Sequence, residues 1–110
     1  MEENRLVLLH GEITSPPFSI EARREAGFLL RQLQSGDMLT MPQSRPMPSI
    51  GPRCHELRIR DQDLYWRIIY RIDEEEILIA EVFAKKTQAT PTVVISNCRK
   101  RFASRDERDV

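Results

Sequence analysis

Lys85 and Lys86 stand side by side in "EVFAKKTQATP" (Glu81 to Pro91). From Ala84 to Arg101 the chain carries Lys85, Lys86, Arg99, Lys100 and Arg101 and no acid at all. Arg45 and Arg53, in the proline-rich "QSRPMPSIGPR", extend that excess, while the balancing acids gather in Glu74 to Glu76 and at the two ends. The totals cancel: 17 basic against 17 acidic residues, a formal charge of +0 and a pI near 6.7. Net charge therefore gives no support to nucleic-acid binding, but an uneven distribution suits a local contact with an anionic partner.

Other chemistries find less support. There is no glycine-rich phosphate loop and no HExxH zinc motif. His10 and His55 are the 2 histidines, and Cys54 and Cys98 lie too far apart for a zinc-type spacing, so no metal site and no cofactor is expected. Two isolated cysteines fit a reduced, cytoplasmic chain. His55, at the start of a β-rich run, reads either as a structural residue or as a catalytic one. The opening "MEENRLVLLHGE" sets acids before a short apolar run, which fits neither a secretory signal nor a membrane span.

At 110 residues the chain reads as a single domain, 1–110. "RLVLL" (Arg5 to Leu9) predicts a first strand. Ser19 is placed to cap a helix from Ile20 to about Ser35, in which Ala22, Ala26, Leu29, Leu30 and Leu33 recur at helical spacing and Gly36 supplies the stop. Gln43 to Arg53 predicts a long loop. "HELRIR", "LYWRIIYRI" and "EILIAEVF", separated by acidic turns, predict a three-stranded antiparallel meander. Thr90 and Pro91 read as an N-cap and first helical position, opening a closing helix with Val94, Ile95, Cys98 and Phe102 as its apolar stripe. The order β-α-loop-β-β-β-α describes an α+β fold: a small, twisted, antiparallel-rich sheet with its helices packed mainly on one face.

Strand alternation then sorts the charges. Leu64, Trp66, Ile68, Tyr70 and Ile72 form a core face, and Tyr65, Arg67, Ile69 and Arg71 take the other. A three-residue turn pairing Ile72 with Glu76 would add Leu78, Ala80 and Val82 to the core face. Ile77, Ile79, Glu81 and Phe83 would then join Arg67, with Glu81 opposite it. Leu57 and Ile59 belong in the core, which sends Arg58 and Arg60 to the Arg67 face, and Lys85 continues that face. Phe83 and Tyr65 there offer either stacking surfaces for bases or cover for Ile69 and Ile79. Arginines on such a face are either solvated, pairing with Glu56 or Glu81, or a functional basic patch.

The stretches "SRPMPSIG", "HELRIRD", "WRIIYRID" and "VFAKKTQATP", with the helix "EARREAGFLLRQLQSG", resemble phage-derived RelE/HigB-type toxins of bacterial type II toxin–antitoxin systems, in the RelE/ParE superfamily. The likeness runs from about Ser44 to Phe102. It implies a RelE-like α+β fold and a metal-independent endoribonuclease that cuts mRNA on the ribosome by attack of a ribose 2′-hydroxyl on the adjacent phosphate. It implies an antitoxin partner with a helix-turn-helix DNA-binding domain. Matched by position, it nominates Arg67, Arg58, Lys85, Lys86 and His55 as catalytic, with Arg67 first for phosphate contact. Arg45, Arg53, Arg60, Phe83, Arg99 and Lys100 become RNA-binding candidates. Relatives also use a tyrosine or histidine near the C-terminus, whereas here no tyrosine follows Tyr70 and no histidine follows His55. The competing expectations are a non-enzymatic ParE-like inhibitor of DNA gyrase, a phage-derived regulatory protein, and an interaction module whose basic face docks an acidic protein.

Overall fold

The computed structural model describes residues 3–9, 18–85 and 89–108. Strand β1 (Arg5–Leu8) leads to helix α1 (Ile20–Gln34), then come β2 (Ser44–Pro46), β3 (Cys54–Asp61), β4 (Leu64–Ile72), β5 (Glu76–Lys85) and helix α2 (Thr92–Arg108). The strands make one sheet in the order β1-β5-β4-β3-β2. The three long strands form the expected antiparallel meander, and β1 pairs parallel with β5. No helix among the described residues is long and apolar enough to cross a membrane.

Helix α1 begins and ends where its end residues require. The Ser19 side chain accepts the Ala22 N–H at 3.1 Å, satisfying a donor that the first turn leaves unpaired. Past the C-terminus, Gly36 takes φ of +93°, where a side chain would strain the backbone. Between these ends Ala22, Ala26, Leu29 and Leu33 are buried against Leu57, Ile59, Trp66, Ile68, Tyr70, Ile77 and Ile79. Asp61 ties the helix start to the β3–β4 hairpin, accepting from the Ser19 amide at 3.0 Å and the Trp66 indole at 2.9 Å.

The α+β class and the antiparallel-rich sheet are as the sequence predicts, but the layers differ. Helix α2 lies on the opposite face, where Cys98 and Phe102 pack with Cys54, Ile69, Leu78 and Ala80. The sheet is thus covered on both faces rather than mainly on one. The reason is that the second face also carries an apolar band, in Ile69, Leu78 and Ala80, which must be buried in turn. Gln43 to Arg53 is also not all loop, since Ser44–Pro46 pairs antiparallel with His55 to Leu57.

The β4–β5 register differs as well. Ile72 pairs with Ile77, not Glu76, and a bulge at Ala80 separates the pairs Tyr70–Ile79 and Ile69–Glu81. The turn holds four residues, closed by the Asp73 N–H donating to the Glu76 carbonyl at 2.8 Å. Ile77 and Ile79 therefore join the Trp66 face, and Leu78 and Ala80 the other. The extra residue restores the expected parity beyond it. Arg67 consequently lies opposite Phe83 rather than Glu81.

Candidate nucleic-acid interface

Helix α2 covers only part of its sheet face. Arg58, Arg60, Tyr65 and Lys85 belong to neither core cluster and occupy the remainder. The register builds this patch around one ring. Tyr65 pairs across β3 with Arg60 and across β5 with Lys85. The Arg58 guanidinium lies 5.1 Å from the Tyr65 ring centre, and that of Arg67 lies 5.9 Å away. The negative face of a phenol ring holds such cations together where mutual repulsion would spread them. Among the described residues Arg58 and Arg60 form no ion pair, and the Arg58 Nε is buried without a hydrogen-bond partner. Lys85 donates to the Ala89 carbonyl, which leaves an ammonium group two further donors.

Arg67 shares this face but not its exposure. It is 1% exposed and meets Glu56, itself 0% exposed, at 2.5 Å. Expected to meet phosphate first, Arg67 is instead enclosed by protein, and its position allows it to act through Tyr65 and Glu56. Glu56 also accepts from Arg45 at 3.1 Å and, on its other oxygen, from the Thr90 hydroxyl at 2.7 Å. Arg45 donates to the same Thr90 oxygen at 3.3 Å. A buried carboxylate needs its oxygens satisfied in this way, and here the donors come from β2, β4 and the segment before α2. The Thr90 hydroxyl therefore does not open the helix. Helix α2 starts at Thr92, with the Pro91 carbonyl accepting from Val94 and Ile95 at 3.0 and 3.2 Å.

The remaining candidates lie apart from the patch. His55 falls on the α1 face, stacked on Tyr70 with ring centres 5.3 Å apart. Arg53 and Arg99 line a cleft at the far end of the α2 face with Arg71, Cys54 and Phe102. There Arg53 pairs with Asp73 at 3.3 Å, and the Arg99 Nε donates to the Ser49 carbonyl at 2.7 Å. Arg71 is held between Asp73 and Asp106, so hydrogen bonds to both carboxylates raise its pKa against the opposing effect of burial. Lys100 is exposed on α2. Arg101 pairs with Glu81 and donates to the Ala80 carbonyl at 2.6 Å. Phe83 is half-buried at the edge of the α2 cluster. Lys86 lies outside the described residues. Among those described, no three His, Cys, Asp or Glu side chains gather as a metal ion requires.

The sequence-based set therefore divides. Arg58, Arg60 and Lys85 come together, Arg45 and Arg67 border them through Glu56, and His55, Arg53, Arg99 and Lys100 do not join. Tyr65, read from the sequence as either a stacking surface or cover, stands at the centre, and Thr90, bonded to Glu56, is a residue that the sequence-based set leaves out. Glu56 carried a readable signal, as the one acid alternating with arginines in "HELRIR", whereas Thr90 resembled an ordinary cap.

A family model described as phage-derived protein Gp49-like (DUF891) matches residues 17–103, a span that includes every element from α1 to most of α2. No curated protein and no solved structure matches the chain.

Proposed function

The chain belongs to the phage-derived Gp49-like family, and on that premise we propose that it is the toxin of a toxin–antitoxin pair, acting as an endoribonuclease on mRNA at the ribosome. The observation that carries this reading is the convergence of Arg58, Arg60 and Lys85 around Tyr65 on the uncovered part of the sheet. A single-stranded RNA laid across that part would meet cations from β3 and β5 and, on β4 between them, one aromatic face for a base.

In the proposed reaction the ribose 2′-oxygen bonds to the adjacent phosphorus, and the bond from phosphorus to the 5′-oxygen breaks. The products are a 2′,3′-cyclic phosphate and a free 5′-hydroxyl. The 2′-hydroxyl proton leaves to solvent, and the 5′-oxygen takes one up. Negative charge builds on the non-bridging oxygens as the phosphorus becomes crowded, and the Arg58 guanidinium and Lys85 ammonium would steady it there. Cations already held in place by a sheet need no reorganisation to do so. An antitoxin with a helix-turn-helix domain would restrain the toxin by covering this patch or blocking its entry to the ribosome, and both proteins would work in the cytoplasm.

Inducing the protein in a bacterium and mapping mRNA 5′ ends tests the reading. Growth arrest with new cuts is expected, and both should be lost in Arg58→Ala with Lys85→Ala. Continued growth without new ends would overturn it. The position of His55 on the opposite face leaves the patch without an imidazole among the described residues, which favours a non-enzymatic gyrase inhibitor as the second reading. Arrest without cuts, together with loss of DNA supercoiling, would select that alternative.

A further inference from the structure

We propose that Thr90 and Glu56 form a latch that positions the end of β5, so that Lys85 keeps its place across Tyr65 from the β3 arginines; both are positioning residues for the RNA contact, and the inference rests on that reading of the patch. The contacts close into a ring. Glu56 and Arg58 are two residues apart on β3 and project from the same face. Glu56 accepts the Thr90 hydroxyl at 2.7 Å, Thr90 follows Ala89 in the chain, and the Ala89 carbonyl accepts from Lys85. Lys85 pairs with Tyr65, and the Tyr65 ring carries Arg58.

The latch is needed because of where the chain goes. β5 ends at Lys85 and α2 begins at Thr92, and that helix is fixed further along by Cys98 and Phe102. Thr90 is the described point between these anchors at which a side chain bonds the sheet. Pro91 restricts Thr90 to extended backbone, which favours a single side-chain direction. Glu56 in turn is held by Arg67 and Arg45, so the anchor itself is rigid. A phosphate bridged by Arg58 and Lys85 depends on their separation, and a misplacement of about 1 Å at such a site costs up to about a hundredfold in rate.

Thr90→Val keeps the shape and removes the hydroxyl, and Thr90→Ser keeps the hydroxyl. Three quantities are measured on the full chain: amide hydrogen exchange, melting temperature, and cleavage of a single-stranded RNA oligonucleotide with ribosomes present. In Thr90→Val the Lys85, Ala89 and Thr90 amides should exchange about tenfold faster or more while α1 and β4 keep their protection. Its cleavage rate at saturating RNA should fall about tenfold to a hundredfold, and Thr90→Ser should restore both. Unchanged exchange at these amides, or cleavage equal to the natural protein, overturns the latch. So does an even rise in exchange across the whole sheet with normal cleavage, the signature of a merely structural residue. If Thr90→Val does not fold, Thr90→Ala leaves room for a water on Glu56 and is read in the same way. If the natural protein does not cleave RNA, the functional reading fails alone and the exchange result still decides the latch.

Discussion

Glu56 and Arg67 meet 2.5 Å apart across neighbouring strands, and solvent reaches neither side chain. Removing two opposite charges from water is expensive, and their attraction repays the cost only when the other polar atoms are also satisfied. Here Arg45 and Thr90 do so for the two Glu56 oxygens. The pair thus sets the geometry of the basic patch more than it adds to its charge. It also turns Arg67 from a candidate RNA ligand into part of the frame.

Breaking the pair from one side should cost far more than removing it whole. Arg67→Met leaves Glu56 as a buried carboxylate with a lost partner, a change worth about 3–5 kcal/mol, a large share of a small domain's stability. Glu56→Gln with Arg67→Met removes both charges. In a double-mutant cycle by urea denaturation the double variant should be more stable than the sum of the singles by at least about 1 kcal/mol. Additive costs would mean that the two residues do not interact as the geometry requires.

Arg58 and Lys85 should behave differently, because they are half-buried beside the pair instead of lying within it. Arg58→Ala forfeits its contact with Tyr65, worth about 0.5–1 kcal/mol at such a site, and the fold should survive. Fluorescence anisotropy with a single-stranded RNA at several salt concentrations reads the effect. Each lost phosphate contact should lower the slope of log affinity against log salt by about 0.7. Equal slopes in the natural protein, Arg58→Ala and Lys85→Ala would remove the patch from the binding surface.

The thiols give a test of the α2 face. Burial pushes Cys98 up to about 12, and burial also raises Cys54 despite the nearby Arg71. Since the thiolate is the reactive form, both should resist a disulfide reagent in the native protein at about pH 8, close to an ordinary thiol's pKa. Both free cysteines should react promptly in denaturant. Fast native labelling of either would mean that α2 does not cover Ile69, Leu78 and Ala80 as described.

How much of this was legible depends on how strongly each element marks its own limits. Ser19 and Gly36 bracket α1 because a cap and a left-handed stop each demand particular residues. Alternation in β3 and β4 placed Arg58, Arg60 and Arg67 on one face, since Leu57, Ile59, Trp66 and Ile68 needed the other. The same rule failed from Ile77 to Ala80, where all four residues are buried. With both faces apolar, nothing in the alternation reveals a four-residue turn or a bulge. The second apolar face, which decides where α2 packs, was hidden for the same reason. Pairing of Arg67 with Glu56 was one of the readings that alternation left open, but the burial of that pair was hidden differently, because Arg45 and Thr90 reach Glu56 from distant parts of the chain.

Asp61 links the sheet's hairpin to α1 and makes stability sensitive to acid. The Ser19 amide first, and the Trp66 indole second, hold its carboxyl below the usual range. Asp106 shifts the same way beside Arg71. A carboxyl that ionises more readily folded than unfolded stabilises the fold above its unfolded pKa, near about 3.9. That contribution is lost as pH falls through the unfolded value toward the folded one. Urea midpoints should therefore fall between about pH 5 and pH 3, a range set by the same reference value. Asp61→Asn should lower the neutral-pH midpoint and flatten this acid limb without abolishing it, since Asp106 still titrates. Trp66, the 1 tryptophan of the chain, reports both the unfolding and the loss of its own hydrogen bond. An acid limb equally steep in Asp61→Asn would mean that the Ser19 and Trp66 donors do not stabilise the charged carboxylate.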